Sequence, residues 1–233
     1  MLISVENRFI FVANTKAASS SIEAVLARHS EIARPGGPAF KHSTLGMIRF
    51  DYRFLFDIPE YPYESFFSFG VIRDPIEWIG SWFRFRKGNK VEAQLPQEMS
   101  FREFWQARDW NILRPDGEPR LQRDMFCNDR GEIMADMLIP HHRLHDLFPA
   151  VMEGLGLIGD LPRRNVSNIR PDKLEIPEDL IDEMRDFYAI DYALLADIDR
   201  YVDRGLTRLE MRRTALAAAA AKADAPSPAL ASA

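Results

Sequence analysis

An α/β fold, with a central and mainly parallel sheet flanked by helices, is what this sequence predicts, and three observations carry the prediction. Two nearly continuous apolar runs, Arg8 to Ala13 and Phe66 to Ile72, are each followed by a short polar turn and then by apolar residues at helical spacing. A third run, Ile133 to Ile139, precedes another helix-like segment, His141 to Leu155. Strands that are apolar throughout suit a parallel sheet covered on both faces, and strand alternating with helix suits βαβ units. The chain has 233 residues, 46% hydrophobic and 28% charged, which is enough for one good core and ordinary for a folded protein.

The first strand, Arg8 to Ala13, leads through Asn14-Thr15-Lys16 into a helix expected over Ser21 to His29, with Ile22, Val25 and Leu26 on one face and Ser20 or Ser21 as its N-cap. Residues 34 to 65 hold prolines, an adjacent glycine pair and many aromatics, and read as an irregular substrate-side excursion with short helical turns. The second strand, Phe66 to Ile72, ends at Arg73, and Pro75 stands where a first helical turn tolerates it. Ile76, Ile79, Trp82 and Phe83 then repeat at helical spacing. Ser100 with Glu103 predicts a capping box for Phe101 to Ala107. Residues 109 to 124 read as loop, 162 to 177 as polar connection, and Glu178 to Tyr201 as a helix closing the domain. After Arg213 the chain is rich in Ala, Ser and Pro, so a domain over 1–213 and a tail over 214–233 are expected. The alanines can extend a helix to about Lys222 before it frays into disorder.

The net charge of −5 argues against a general nucleic-acid binder, so any anion site has to be built locally. Cys127 is the single cysteine, which excludes an internal disulfide and fits a reducing compartment. No charged leader with a long apolar block opens the sequence, and no apolar run approaches the roughly 20 residues of a membrane-spanning helix. A cytoplasmic protein with no integral membrane segment is expected.

The two strand-to-helix junctions are the strongest functional signal. At the first, Lys16 can swing a point charge onto a phosphate or sulfate, and Ser19, Ser20 and Ser21 add hydroxyls and backbone N–H groups at a helix start. At the second, Arg73 offers a planar guanidinium suited to bidentate phosphate recognition, and Ser81 lies two turns further on. Taken singly, the first is also what a polar turn capping a helix looks like, and the second an N-cap with a surface arginine. The pattern GxxxxGK[ST] is absent and the first loop has no glycine, which disfavours a metal-dependent ATPase.

Lys16-Ala17-Ala18-Ser19-Ser20-Ser21-Ile22 resembles the 5′-phosphosulfate loop of sulfotransferases that use 3′-phosphoadenosine 5′-phosphosulfate (PAPS), and Phe69 to Pro75 with Ser81-Trp82-Phe83 resembles their 3′-phosphate segment. The likeness is nearest to the carbohydrate-type branch, in its soluble bacterial form. It continues more weakly through Asn165-Val166-Ser167 and Phe187 to Tyr192, covering roughly residues 8 to 200. It implies a P-loop-like sulfotransferase fold and an enzyme moving a sulfuryl group from PAPS to a hydroxyl, on a carbohydrate or glycolipid. Lys16, Ala17, Ala18, Ser19, Ser20 and Ser21 would hold the 5′ side, Arg73 and Ser81 the 3′-phosphate, with no metal. The family usually has glycine where Ala18 and Ser19 stand and threonine where Ser20 stands, changes that keep small size or the hydroxyl.

Electrostatics and positioning carry such a transfer, with Lys16 as the catalytic cation. His42, in Lys41-His42-Ser43-Thr44, is the candidate base, because its ordinary pKa lies near neutrality and carbohydrate-type members often carry a histidine in this stretch. His141 and His145 stand at i, i+4 but lack a second ligand cluster, and read as a solvated helix face rather than a zinc site. Arg86-Lys87-Gly88 reads as a basic helix end, and the four tryptophans as packing, with Trp105 and Trp110 in the region where an acceptor could stack. A nucleotide-dependent kinase of similar layering and a non-catalytic nucleotide-binding relative are the alternatives.

Overall fold

The computed structural model describes residues 1–34, 41–88, 94–108, 113–114, 116–162, 174 and 176–223. Its centre is a five-stranded sheet made of β1 (Leu2–Ser4), β2 (Phe9–Val12), β3 (Ile32–Ala33), β4 (Phe67–Ile72) and β5 (Met137–Pro140), in the order β3-β1-β2-β4-β5. The predicted α/β class holds, but the sheet is mixed rather than mainly parallel. β2 pairs with β4 and β4 with β5 in parallel, whereas β1 is antiparallel to both β2 and β3. β1 and β3 do not stand out in the sequence because strands of three and two residues are too short to show a period. A tight turn joins β1 to β2, where Asn7 donates from backbone N and from Nδ2 to Ser4 Oγ, both at 3.0 Å.

Continuous burial of β2 and β4 is explained by cover on both sides. On one face Phe9, Phe11, Phe67, Phe69, Met137 and Ile139 pack against α1 (Ser19–Leu26), α6 (Leu144–Gly154) and α9 (Ile198–Ala223). On the other, Ile10, Val12, Ile72 and Leu138 meet Leu45 and Ile48 of α2 (Leu45–Asp51) and Leu55 and Phe56 of α3 (Arg53–Phe56). Alternate side chains of one strand thus enter two different cores, so nearly every position is apolar; the exception in β4 is Ser68, buried and bonded through its backbone N and Oγ to Asp136. A third cluster joins α4 (Pro75–Gly88), α5 (Phe101–Ala107) and α7 (Glu178–Phe187) through Trp78, Phe83, Phe104, Trp105 and Met184. The aromatics expected to pack do so; Trp105 is fully buried and donates from Nε1 to Glu183, while Trp110 lies outside the described residues.

The capping box of α5 is present as predicted, with Ser100 and Glu103 exchanging bonds. The expected continuous helix over 178–201 is instead three: α7, α8 (Ala189–Ala196) and α9. Each break is a single residue, Tyr188 and Asp197, near the bridge region of backbone space. The bend at Tyr188 buries that ring against Trp78 and Trp105 and turns Asp191 inward. α9 runs on through the alanines to Ala223, one residue past the expected Lys222, with residues 213 to 218 exposed; its last part rests on alanine's helix propensity, not on a core. Residues 224–233 lie outside the described residues. α9 lies close on the sheet because Gly205 has no side chain, since a Cβ there would fall 2.4 Å from Met137 Cβ.

Candidate functional site

Parallel pairing of β2 with β4 puts the two predicted junctions side by side at the carboxyl ends of neighbouring strands, where α/β folds place ligands. After β2 the chain turns through two left-handed residues, Lys16 (φ 52°) and Ala18 (φ 59°). Ala18 occupies the N-cap position of α1, so the helix starts at Ser19 and neither Ser20 nor Ser21 is the cap. A methyl side chain cannot cap, and no side-chain cap bond is made. Ser19 and Ser21 are buried and Ser20 exposed, while Ala17 is buried in the core. The loop is pinned from below: Trp78 Nε1 donates to the Thr15 carbonyl at 2.7 Å, and Asn14 Nδ2 to the Val71 carbonyl at 2.9 Å.

At the second junction Arg73 donates from Nε to Glu77 at 3.1 Å and from Nη1 to the Lys16 carbonyl at 3.5 Å, touching the first loop directly. Asp74 caps α4 by accepting from the Glu77 N–H at 3.0 Å, as its place before Pro75 predicts. Glu77, Ser81 and Arg84 fall on one face of α4 at i, i+4 and i+7, with Ser81 half-buried. Ser81 therefore shares the helix face that adjoins Arg73, although the closest cationic neighbour along that face is Arg84.

The two junctions are locked by Gln122, a residue that no sequence pattern singles out. Its Oε1 accepts from the Arg73 N–H and from Asn14 Nδ2, both at 3.1 Å, and its Nε2 donates to the Arg73 carbonyl at 2.8 Å. Asp191 holds the lock from α8, accepting from the backbone N–H groups of Gln122 at 3.1 Å and Arg123 at 2.8 Å. Burial pushes the Asp191 carboxyl up to about 6 against the opposing effect of those two bonds. A loop without periodicity offers no signal for such residues; only the fold brings Gln122 to the strand ends.

Electrostatics make this a cationic place in an acidic protein. The Lys16 ammonium sits over the Phe85 ring, 3.9 Å from its centroid, and burial, then Arg73 and Arg84, lower its pKa to about 8. Among the described residues Glu77 is the carboxylate paired there, and it is engaged by Arg73. His42 reaches the same strand end, with Nδ1 2.5 Å from the Ala13 carbonyl. A carbonyl only accepts, so Nδ1 carries the proton and Nε2 is left with a free lone pair. Burial lowers the His42 pKa to about 4, keeping the ring neutral at physiological pH. Arg120 donates to the His42 carbonyl at 3.3 Å.

Of the other histidines, His142 and His145 are exposed as expected, but His141 is half-buried at the end of β5. Burial, followed by the charge of Arg73, lowers its pKa. It therefore departs from the solvated face expected of it, and its place directly after the third strand is the sequence signal that it belongs near the site. Among the described residues no group of three or more His, Cys, Asp or Glu is placed to hold a metal ion. Nor is any helix long and apolar enough to cross a membrane. Asn165, Val166 and Ser167 lie outside the described residues. Comparison with protein-family models, with curated proteins and with solved structures found no match for this chain.

Proposed function

We propose that this protein is a sulfotransferase of P-loop-like architecture, moving a sulfuryl group from PAPS to a hydroxyl of a carbohydrate or glycolipid. The observation that carries the reading is the direct contact of the two junctions, in which the Arg73 guanidinium lies 3.5 Å from the Lys16 carbonyl across adjacent parallel strand ends. One nucleotide bearing anionic groups at both ends suits two touching junctions that each bring their own cation. The donor set fits PAPS: a lysine, a forked guanidinium, serine hydroxyls and a helix start, with Ala18 taking the left-handed position that glycine fills in the resembling family.

PAPS, when bound, supplies the activated sulfuryl group. Lys16 provides positive charge at the reacting end; burial first, and then the charges of Arg73 and Arg84, lower its pKa, and an anion there would favour the charged form. Arg73 and Ser81 take the 3′-phosphate, while Ser19, Ser20 and Ser21 line the 5′ side. His42 Nε2 accepts the acceptor's hydroxyl proton; the bond from Nδ1 to the Ala13 carbonyl fixes that tautomer and aims the ring. The low pKa of His42 makes it a base that is always available but weak until a developing positive charge is stabilised beside it.

The direct test is transfer of radiolabelled sulfuryl from PAPS to a panel of hydroxyl-bearing glycans and glycolipids. Lys16→Ala is expected to abolish transfer and to weaken cofactor binding by at least about tenfold. Unchanged rate and affinity in that variant would overturn the assignment.

A further inference from the structure

A third cation stands in this site that neither junction motif includes. Arg84 lines a cleft of about 250 Å³ on α4 together with Arg73, Glu77, Gly80, Leu174 and Ile176. Gly80 makes room for Leu174 at the cleft floor: a Cβ built there would lie 3.0 Å from Leu174 Cδ2, tighter than ordinary packing, and 3.6 Å from Arg84 Nη1, in ordinary contact. Among the described residues Arg84 makes no ion pair, and the charges facing it are Arg73, Lys16 and Glu77, the last already bonded to Arg73 Nε. Burial and the Arg73 charge both disfavour its cationic form. Two guanidiniums sharing an apolar-walled cleft with one spent carboxylate leave an excess of positive charge and several unspent donors. A phosphodiester or a neutral ribose hydroxyl uses little of that; a phosphomonoester dianion, with three terminal oxygens, uses both forks.

We propose that Arg84 is a specificity residue which, with Arg73, grips a terminal phosphomonoester dianion in the α4 cleft, so that the site selects nucleotides with a free 3′-phosphate. This rests on the reading that the junctions bind a 3′-phosphorylated nucleotide. Gly80 leaves the cleft floor open, and the apolar side chains of Leu174 and Ile176 strengthen the charge interaction by limiting water.

The experiment is calorimetric titration of the wild-type chain, Arg84→Ala and Arg84→Gln with adenosine 3′,5′-bisphosphate and with adenosine 5′-phosphate. Wild type is expected to prefer the bisphosphate by at least about tenfold, and both variants to lose most of that preference while holding the monophosphate within about twofold of wild type. Arg84→Gln keeps the stem and a donor, so it reports on charge if the alanine variant folds poorly. Full preference retained in a folded variant would overturn the role of Arg84 alone. Equal weakening of both ligands would also overturn it, by placing Arg84 at the shared 5′ end. Absence of any preference in the wild type would instead overturn the nucleotide reading on which it stands.

Discussion

Lys16 is held in a costly state: a half-buried ammonium facing two guanidiniums, compensated chiefly by the Phe85 ring. Its folded pKa of about 8 is below the ordinary 10.5, so between those values the folded chain binds fewer protons than the unfolded one, and stability rises with pH across that window. Below pH 8 the full cost is present. Lys16→Met is therefore expected to raise the melting temperature near neutral pH, by about 2–4 °C for each kcal/mol relieved, while weakening binding of adenosine 3′,5′-bisphosphate. Thermal unfolding with and without ligand checks both. His42 carries the same sign in a lower pH window. Its folded pKa of about 4 lies below 6.5, so its contribution to stability is lost as pH falls from 6.5 toward 4, and Nε2 stays unprotonated over the same range. The acid limb of the transfer rate should then lie below about pH 5, not near 6.5, and His42→Ala should lose transfer while keeping bisphosphate affinity; a pH–rate profile and titration decide this. Both residues were legible in the sequence, but their altered basicity was not, because burial is a property of the fold.

At the scale of elements, the two strand-turn-helix units are readable because each strand feeds two cores and so is nearly all apolar. What the sequence hid follows from physics that pattern cannot carry. The antiparallel hairpin rests on β1 and β3, which are too short for alternation, and the last helix breaks at Tyr188 to bury a ring and turn a carboxylate inward. The start of α1 was misplaced because three serines outrank an alanine as N-caps, yet the left-handed turn at Ala18 sets the boundary. Left-handed backbone costs a non-glycine residue about 1–2 kcal/mol, and glycine loses about 0.5–1 kcal/mol in chain entropy elsewhere. Ala18→Gly should accordingly leave stability equal or slightly higher, and Ala18→Val should lower it by more than about 1 kcal/mol, measured by urea unfolding.

For the whole molecule, the proposed function depends on bringing two distant segments to one strand edge and keeping them there. Parallel pairing of β2 with β4 sets their distance; Gln122, bonded to Asn14 and to both backbone groups of Arg73, and Asp191 behind it, fix their register. Lys16 and Arg73 can be read as partners from their order and chemistry, whereas Gln122 and Arg84 become visible only once the strands are side by side. A net charge of −5 and a local cluster of Lys16, Arg73 and Arg84 coexist because the fold, not the composition, places charge. The central claim is that these junctions hold the two ends of one 3′-phosphorylated nucleotide. Calorimetric titration of the full chain with adenosine 3′,5′-bisphosphate, set against ATP with magnesium, tests it most directly. Tighter binding of the bisphosphate, without need of magnesium, is the expected result; preference for magnesium–ATP would contradict it.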